Sequence, residues 1–172
     1  MQMKQEPVES DPTTWNVPKI LELPEGRNVT GYHIRKAMSY EIAQGSGGDT
    51  HFLSDYGCVV FRGVEAMLNY MEACYEKNSN LDATAESYWK AIRTRAGVDP
   101  DFNKTIAATD YTKEDDWAIY SAGQPVDKTL YNIRRERRCE FIADGMRMWD
   151  LKRWRALDQV KNYVIEGFNL WG

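Results

Sequence analysis

The chain has 172 residues, of which 42% are hydrophobic and 28% are charged, and this balance is typical of one globular domain or of one large piece of a domain. Its formal net charge of -4 at pH 7 argues against a nucleic-acid partner, because phosphate binding requires a basic surface. No apolar stretch is long enough to form a helix that spans a bilayer.

The N-terminus, MQMKQEPVESDP, is too polar for a signal peptide and carries no lipid-acceptor cysteine. We therefore expect the chain as given to be soluble. If the protein belongs on a cell surface, we expect this sequence to be a fragment of a longer one.

Cysteine and histidine spacing indicates neither a metal site nor a cofactor site. Cys58, Cys74 and Cys139 do not have metal-ligand spacing, and we interpret all three as small apolar packing residues. His33 and His51 lie too far apart in the chain to form a helical metal pair. We expect no cofactor.

Residues 1–57 are predicted to form a loop-rich, extended N-terminal segment. Residues 1 to about 30 carry most of the six prolines and show little periodicity. Further along, the run GSGG from Gly45 to Gly48 predicts a flexible turn. Residues 58–172 are predicted to form one helical domain.

Two helices are predicted at the start of that domain. The first runs from Cys58 to about Lys77, and the second runs from Leu81 to Ala96 and ends at Gly97 in a left-handed cap. Apolar residues recur at helical spacing in the first helix at Phe61, Val64, Leu68, Met71 and Tyr75. A short polar loop joins the helices, so we expect an antiparallel hairpin of the tetratricopeptide-like kind that packs on other helices.

The next segment, Asp99–Pro125, is predicted to be a loop with at most one short helix. Three aromatic residues in it, Tyr111, Trp117 and Tyr120, are candidate ligand-binding residues, because aromatic rings can stack on the apolar faces of sugars. The alternative is that these rings dock the loop on the core, since a binding pocket requires a convergence that sequence does not reveal.

Acidic residues in the same loop have the composition of a calcium site. They are Asp110, Glu114, Asp115 and Asp116. Their spacing fits no EF-hand loop, so we interpret them as a solvated acidic loop and predict no metal site.

Two more helices are predicted in the last third of the chain. Asp127 is expected to cap a helix that runs to about Ala143, and Asp144 and Gly145 separate it from a fourth helix that continues toward Val160. The apolar residues of the fourth helix are Met148, Leu151, Trp154 and Leu157. No alternating strand pattern appears, so the sequence predicts an all-α fold.

The segment IRRERRCEFIADGMRMWDLKRW, residues 133–154, is unusually charged for helices that face a core. Arg137 and Glu140 fall on or beside the apolar side defined by Leu130, Ile133, Phe141 and Ile142. Unpaired charges there would be costly, so they are expected to pair. The alternatives are an acid/base group at Glu136, Glu140 and Asp150, or a phosphate or carboxylate clamp formed by the arginines, but no histidine or nucleophile accompanies these residues.

The sequence therefore predicts a structural network of ion pairs between helices. Its expected members are Arg62, Glu65, Glu72, Arg93, Arg95, Arg134, Glu136, Arg137, Glu140, Asp150 and Arg153. Glu65 and Glu72 lie one heptad apart, and each is expected to meet an arginine such as Arg93, Arg95, Arg134 or Arg137. Replacing Glu65 with alanine is then expected to reduce stability greatly.

Residues 134–154 resemble the signature of the SusD/RagB family, in which an E-R-R-x-E helix is followed by a small-residue turn, an aromatic residue and D-L-x-R-W. Three more blocks resemble the family's pattern in the same order, namely residues 30–36, 61–73 and 91–97. Asp144 stands where a glutamate is usual, and Met146 stands where a histidine is common.

This resemblance implies an α-superhelical domain of tetratricopeptide-like hairpins, incomplete here relative to the family. It also implies a surface-exposed lipoprotein of the Bacteroidetes outer membrane, bound to the membrane only by a lipid anchor absent from this chain. Such a protein binds an oligosaccharide, for example one derived from starch, or a peptide in some members, and passes it to a TonB-dependent SusC-like transporter without catalysis. A protein-interaction scaffold is the alternative, and no glycan-contacting residue of the family transfers to this sequence.

Overall fold

The computed structural model describes residues 7–8, 11–15, 36, 59–114, 119–157 and 160. The chain divides into two units, the first made of residues 1–58 and 164–172 and the second made of residues 59–163. In the first unit, strand β1 (Pro7–Val8) pairs with strand β2 (Asp11–Trp15) in an antiparallel sheet. The predicted turn at Gly45–Gly48 lies outside the described residues.

Helix α1 of the second unit spans Gly63–Asn78. The predicted start at Cys58 is wrong, because residues 59–62 are not helical. Phe61, which was assigned to the apolar face of the helix, is 85% exposed. The reason lies at Arg62, whose backbone is extended and whose guanidinium donates a 2.6 Å hydrogen bond to the carbonyl oxygen of Glu140. This long-range contact holds the chain away from helical geometry before Gly63.

Helix α2 spans Ala83–Arg95 and packs against α1 as the second half of a helical hairpin. Ser79, in a left-handed conformation, ends α1, and Asp82 caps α2 by accepting a hydrogen bond from the N–H of Ala85. The Tyr70 hydroxyl donates a 2.6 Å hydrogen bond to the Asp82 carboxylate, which ties the turn to α1. Because the turn is only four residues long, the packed helices run in opposite directions, as predicted.

The segment Asp99–Pro125, predicted to be a loop with at most one short helix, contains one short α-helix and several other short elements. Helix α3 spans Phe102–Ala108, a 3-10 helix spans Tyr111–Lys113, and strands β3 (Tyr120–Ser121) and β4 (Gln124–Pro125) form a small hairpin. Strands of two residues leave no alternating pattern in a sequence, so they were not predicted.

Helix α4 spans Lys128–Glu140, and helix α5 spans Arg147–Arg153. Asp127 caps α4 as predicted, by accepting hydrogen bonds from the N–H groups of Thr129 and Leu130. Both helices end earlier than predicted. The chain turns at residues 141–143 after α4, and α5 ends at Arg153 rather than near Val160, because Arg155 adopts a left-handed conformation.

Two clusters of buried side chains form the cores of this unit. The main core consists of Val64, Leu68, Met71, Cys74, Ala85, Trp89, Ile92, Phe102, Ile133 and Phe141. Within it, the rings of Trp89 and Phe102 stack with their centroids 4.3 Å apart. The second core consists of Ile119, Tyr131, Leu151, Trp154 and Ala156.

Some residues that were assigned to apolar faces lie at the surface instead. Ile142, Met148 and Leu157 are exposed. Ile142 and Leu157 lie beyond the ends of α4 and α5, whereas Met148 lies within α5 on a side that faces solvent. Cys74 is buried as predicted, whereas Cys139 is exposed and the packing role predicted for it is wrong. Cys58 lies outside the described residues.

Five α-helices account for most of the regular structure in the described residues, and the prediction of an all-α fold is confirmed. Helix α1 packs on α2 and α4, and α3 packs on α4. Over the described part of the chain, none of the helices is both long and apolar enough to cross a membrane.

Replacing Asp127 with alanine is expected to lower the free energy of unfolding by about 1–2 kcal/mol, because two N–H groups of α4 and the Tyr75 hydroxyl lose their acceptor. The matched control is Asp101→Ala, which removes a single capping bond from the shorter α3 and should cost less. Denaturant titration of both variants measures the difference. Equal losses would contradict a special role for the Asp127 cap.

Candidate functional site

The carboxylate of Glu72 on α1 is the buried centre of a group of hydrogen bonds. The Arg153 guanidinium donates to both of its oxygens, with Nη1 2.8 Å from Oε1 and Nη2 2.5 Å from Oε2. The Trp154 indole N–H donates to Oε1 at 2.6 Å, and Nε of Arg134 lies 3.8 Å from the same oxygen. The Glu72 side chain is 7% exposed, so these donors replace the water that a carboxylate would otherwise bind.

Asp150 on α5 extends this group to α4. Nε of Arg137 lies 2.8 Å from each Asp150 oxygen, and Nε of Arg153 lies 2.9 Å from Oδ1. Nη1 of Arg137 donates to Oδ1 of Asn69 at 2.8 Å, so the hydrogen bonds also connect α4 to α1. We call these residues the central ion network. It consists of Asn69, Glu72, Arg134, Arg137, Asp150 and Arg153, and it joins α1, α4 and the end of α5.

The indole of Trp154 lies among arginine side chains of the same region. The guanidinium carbons of Arg134 and Arg153 lie 4.6 and 4.7 Å from its ring centroid, and that of Arg147 lies at 5.8 Å. Burial lowers the pKa of Arg134, despite the nearby charges of Glu72 and Glu76. Burial acts in the same direction on Arg153, but its hydrogen bonds to Glu72 and Asp150 outweigh that effect and raise its pKa.

A second set of ion pairs joins α4 to the helical hairpin. Arg93 pairs with Glu136, and Arg95 pairs with Glu140. Arg62 also pairs with Glu140, at 3.1 Å, and with Asp144, at 2.9 Å. The arginines near the end of α2 are therefore engaged by carboxylates of α4.

Glu65 does not take part in either set. Among the described residues it makes no ion pair, and the prediction that it meets an arginine finds no support there. The candidate partners Arg93 and Arg95 bind carboxylates of α4 instead. Glu65 is only partly buried and lies in the first turn of α1, where the helix dipole already favours a negative charge.

An open cleft of about 490 Å³ borders the central ion network. It lies between α1, the β3–β4 turn and the residues that follow α5. Its lining residues are Asn69, Glu72, Ala73, Glu76, Ser121, Ala122, Arg134, Arg153, Trp154 and Arg155. The lining surface is more apolar than polar, but it includes polar groups and both signs of charge, so the cleft can accept hydrogen bonds from a ligand and donate them to it.

Of the three candidate ligand-binding aromatics, Tyr111 packs against the protein. Its ring meets Tyr131 edge-on, with the centroids 5.4 Å apart, and its hydroxyl donates a 2.7 Å hydrogen bond to the carbonyl oxygen of Val126. Burial, with the charge of Asp127, raises the pKa of Tyr111 to about 12. The alternative interpretation, in which this aromatic docks the loop on the core, describes Tyr111 better.

Tyr120 is the candidate that remains accessible. Its side chain is 37% exposed on β3, and its carbonyl oxygen accepts a 3.3 Å hydrogen bond from Nη1 of Arg134. Trp117 lies outside the described residues. The structure therefore links Tyr120, through its backbone, to an arginine that lines the cleft.

The acidic residues of the same loop have separate roles where they are described. Asp110 accepts a hydrogen bond from the N–H of Thr112 in the 3-10 helix, and Glu114 binds Arg135 at 2.8 Å and the Tyr131 hydroxyl at 2.7 Å. Asp115 and Asp116 lie outside the described residues. No group of three residues able to hold a metal ion occurs in the part of the chain that the structure describes.

Seven cleft residues were not among the predicted site residues, namely Asn69, Ala73, Glu76, Ser121, Ala122, Trp154 and Arg155. Ala122 and Arg155 have positive φ angles of 51° and 53°, which are uncommon for residues with a side chain. No residue type in the sequence signals these conformations. The position of Arg155 directly after the D-L-x-R-W motif was the only available signal.

Comparison with known proteins identifies one family. The model of the SusD family matches residues 4–170, which is nearly the whole chain. No curated protein and no solved structure matches the chain.

Replacing Glu72 with alanine is expected to lower the free energy of unfolding by about 3–5 kcal/mol, because Arg134 and Arg153 would keep their charges without their buried partner. Glu65→Ala is the matched control on the same helix, one heptad earlier, and should cost less than about 1 kcal/mol. Thermal or denaturant unfolding of the two variants checks both values. A loss for Glu65→Ala as large as that for Glu72→Ala would contradict this assignment.

Proposed function

Because the chain belongs to the SusD family, we propose that it captures an oligosaccharide at the cell surface and delivers it to a TonB-dependent SusC-like transporter. Proteins of this family are nutrient-binding lipoproteins of the outer membrane and are not enzymes. The single observation that carries the proposal is the family match over residues 4–170. An oligosaccharide derived from starch is one ligand of the kind that we expect.

The chemistry of the cleft supports a polar ligand with many hydroxyl groups. Ser121 has a hydroxyl group and Asn69 has amide N–H donors, while the partly exposed Glu76 carboxylate can accept hydrogen bonds. A sugar offers both donors and acceptors to such a lining. Neutral hexoses and acidic sugars both meet this requirement.

Rigidity of the cleft wall supports binding rather than a purely structural role. Arg153 and Trp154 are each held by hydrogen bonds to Glu72, so a ligand would not have to immobilise these side chains when it binds. Preorganisation of this kind raises affinity without additional contacts.

An accessible aromatic ring lies on the strand that leads into the cleft turn. Tyr120 is partly exposed on β3, next to Ser121 in the cleft. We propose that its ring stacks on an apolar sugar face, together with Trp117 in the same loop. Tyr111 packs on the second core and so holds the same loop against the protein.

Isothermal titration with a panel of oligosaccharides tests the proposal. At least one oligosaccharide should bind, and Tyr120→Ala should weaken its affinity by roughly tenfold, equivalent to about 1.4 kcal/mol of stacking free energy. Trp149→Ala is the matched control, because this aromatic is 66% exposed but lies on α5 and not on the β3–β4 hairpin.

The proposal would be contradicted by titrations that show no heat with every oligosaccharide while the protein remains folded. Binding of an unmodified peptide, without binding of any oligosaccharide, would instead favour the peptide-binding alternative within the same family.

A further inference from the structure

Arg155 adopts a backbone conformation that usually belongs to glycine. It follows the C-cap of α5, and its φ angle is 53°. The N–H of Ala156 donates to the carbonyl oxygen of Leu151 at 2.9 Å, and the N–H of Arg155 donates to that of Lys152 at 3.1 Å. This is the hydrogen-bond pattern of a Schellman motif, in which the left-handed position is most often glycine. An arginine here costs conformational free energy.

A second left-handed residue meets Arg155 across the edge of the cleft. Ala122 has a φ angle of 51° in the two-residue turn that it forms with Gly123, and its N–H donates to the carbonyl oxygen of Arg155 at 3.2 Å. Both residues line the cleft. Two conformations that disfavour side chains therefore occur side by side, and strained backbone of this kind is concentrated at ligand sites.

Among the arginines that line the cleft, Arg155 is the one whose side chain binds no described carboxylate. Arg153 is engaged by Glu72 and Asp150, and Arg134 lies 3.8 Å from Glu72 and 3.5 Å from Glu76. Arg155 is exposed, and it forms no side-chain hydrogen bond or ion pair with any described residue. With three arginines and two glutamates, the lining has one positive charge in excess.

We propose that the cleft binds an acidic sugar residue, with the Arg155 guanidinium holding the sugar's carboxylate. This inference rests on the proposed glycan-binding function and names the class of sugar. A guanidinium matches a carboxylate with two parallel hydrogen bonds, so it selects an acidic sugar over a neutral one. Asn69 and Ser121 line the same cleft and bind the hydroxyl groups of the sugar ring.

The sugar binds through hydrogen bonds rather than by stacking on Trp154. That indole is 4% exposed, and the guanidinium groups of Arg134 and Arg153 lie within 5 Å of its ring centroid. The cleft volume of about 490 Å³ is within the roughly 300–1,000 Å³ that is usual for small-molecule sites.

Arg155→Gly separates binding from stability, because glycine is favoured at this position while the guanidinium is lost. Titration with a short oligogalacturonate should show at least a tenfold weaker affinity for this variant, and its unfolding midpoint should be equal to or higher than that of the parent. A galactose oligomer of the same length should bind parent and variant alike. Binding of the oligogalacturonate to the parent should weaken as salt concentration rises.

Two control variants distinguish charge from backbone conformation. Ala143→Gly relaxes a left-handed residue that does not line the cleft and leaves every charged group in place, so it should retain oligogalacturonate binding. Arg155→Lys keeps the positive charge without the planar fork and should bind with intermediate affinity.

Equal oligogalacturonate affinities for the parent and Arg155→Gly would overturn the inference. So would a parent that binds the galactose oligomer but not the oligogalacturonate, and in that case the proposed glycan-binding function would stand. Absence of binding to every oligosaccharide would overturn both. Carboxylate-dependent binding of a peptide C-terminus in place of the acidic sugar would also overturn the inference.

Discussion

Burial of the Glu72 carboxylate is the constraint on which the rest of the second unit depends. A carboxylate withdrawn from water requires donors, and here they come from Arg153 and Trp154 near the end of α5, with Arg134 of α4 close by. Asp150 of α5 in turn accepts a hydrogen bond from Arg137 of α4. Helices α1, α4 and α5 satisfy these groups together in the arrangement observed, so a shift of one helix against the others would leave buried charges unpaired.

The same network shapes the surface on which the proposed function rests. Since Glu72 holds Arg153 and Trp154, the wall of the cleft has a defined form before any ligand arrives. Protein carboxylates also account for the charges of Arg134 and Arg153, which leaves Arg155 as the cleft-lining arginine that we propose binds a ligand carboxylate. The buried ion network and the proposed binding surface are therefore parts of one arrangement, as expected for a protein of a family that binds nutrients.

Much of the fold could be predicted because helical spacing and capping are local signals. The hairpin, the Asp127 cap and the left-handed Gly97 follow from short stretches of sequence, and the family resemblance is confirmed. Ion pairing between helices was predictable as a requirement, and Arg134 was among the arginines expected to meet Glu72, but Arg153, which binds both Glu72 oxygens, was not. Glu65 and Glu72 lie one heptad apart on α1, so the sequence does not distinguish them. Glu72 is the residue that pairs because the end of α5 lies beside it and not beside Glu65. The cleft depends on the left-handed conformations of Ala122 and Arg155, which their residue types disfavour.

A double-mutant cycle between Glu72 and Arg153 measures directly whether this ion pair couples α1 to α5. Glu72→Gln, Arg153→Gln and the double variant would be compared by denaturant unfolding. We expect a coupling free energy of about 1–3 kcal/mol. A control cycle between Glu72 and Arg155, which line the same cleft without an ion pair between them, should be additive within about 0.5 kcal/mol. Additivity in the Glu72–Arg153 cycle as well would contradict the claim that this pair holds the helices together.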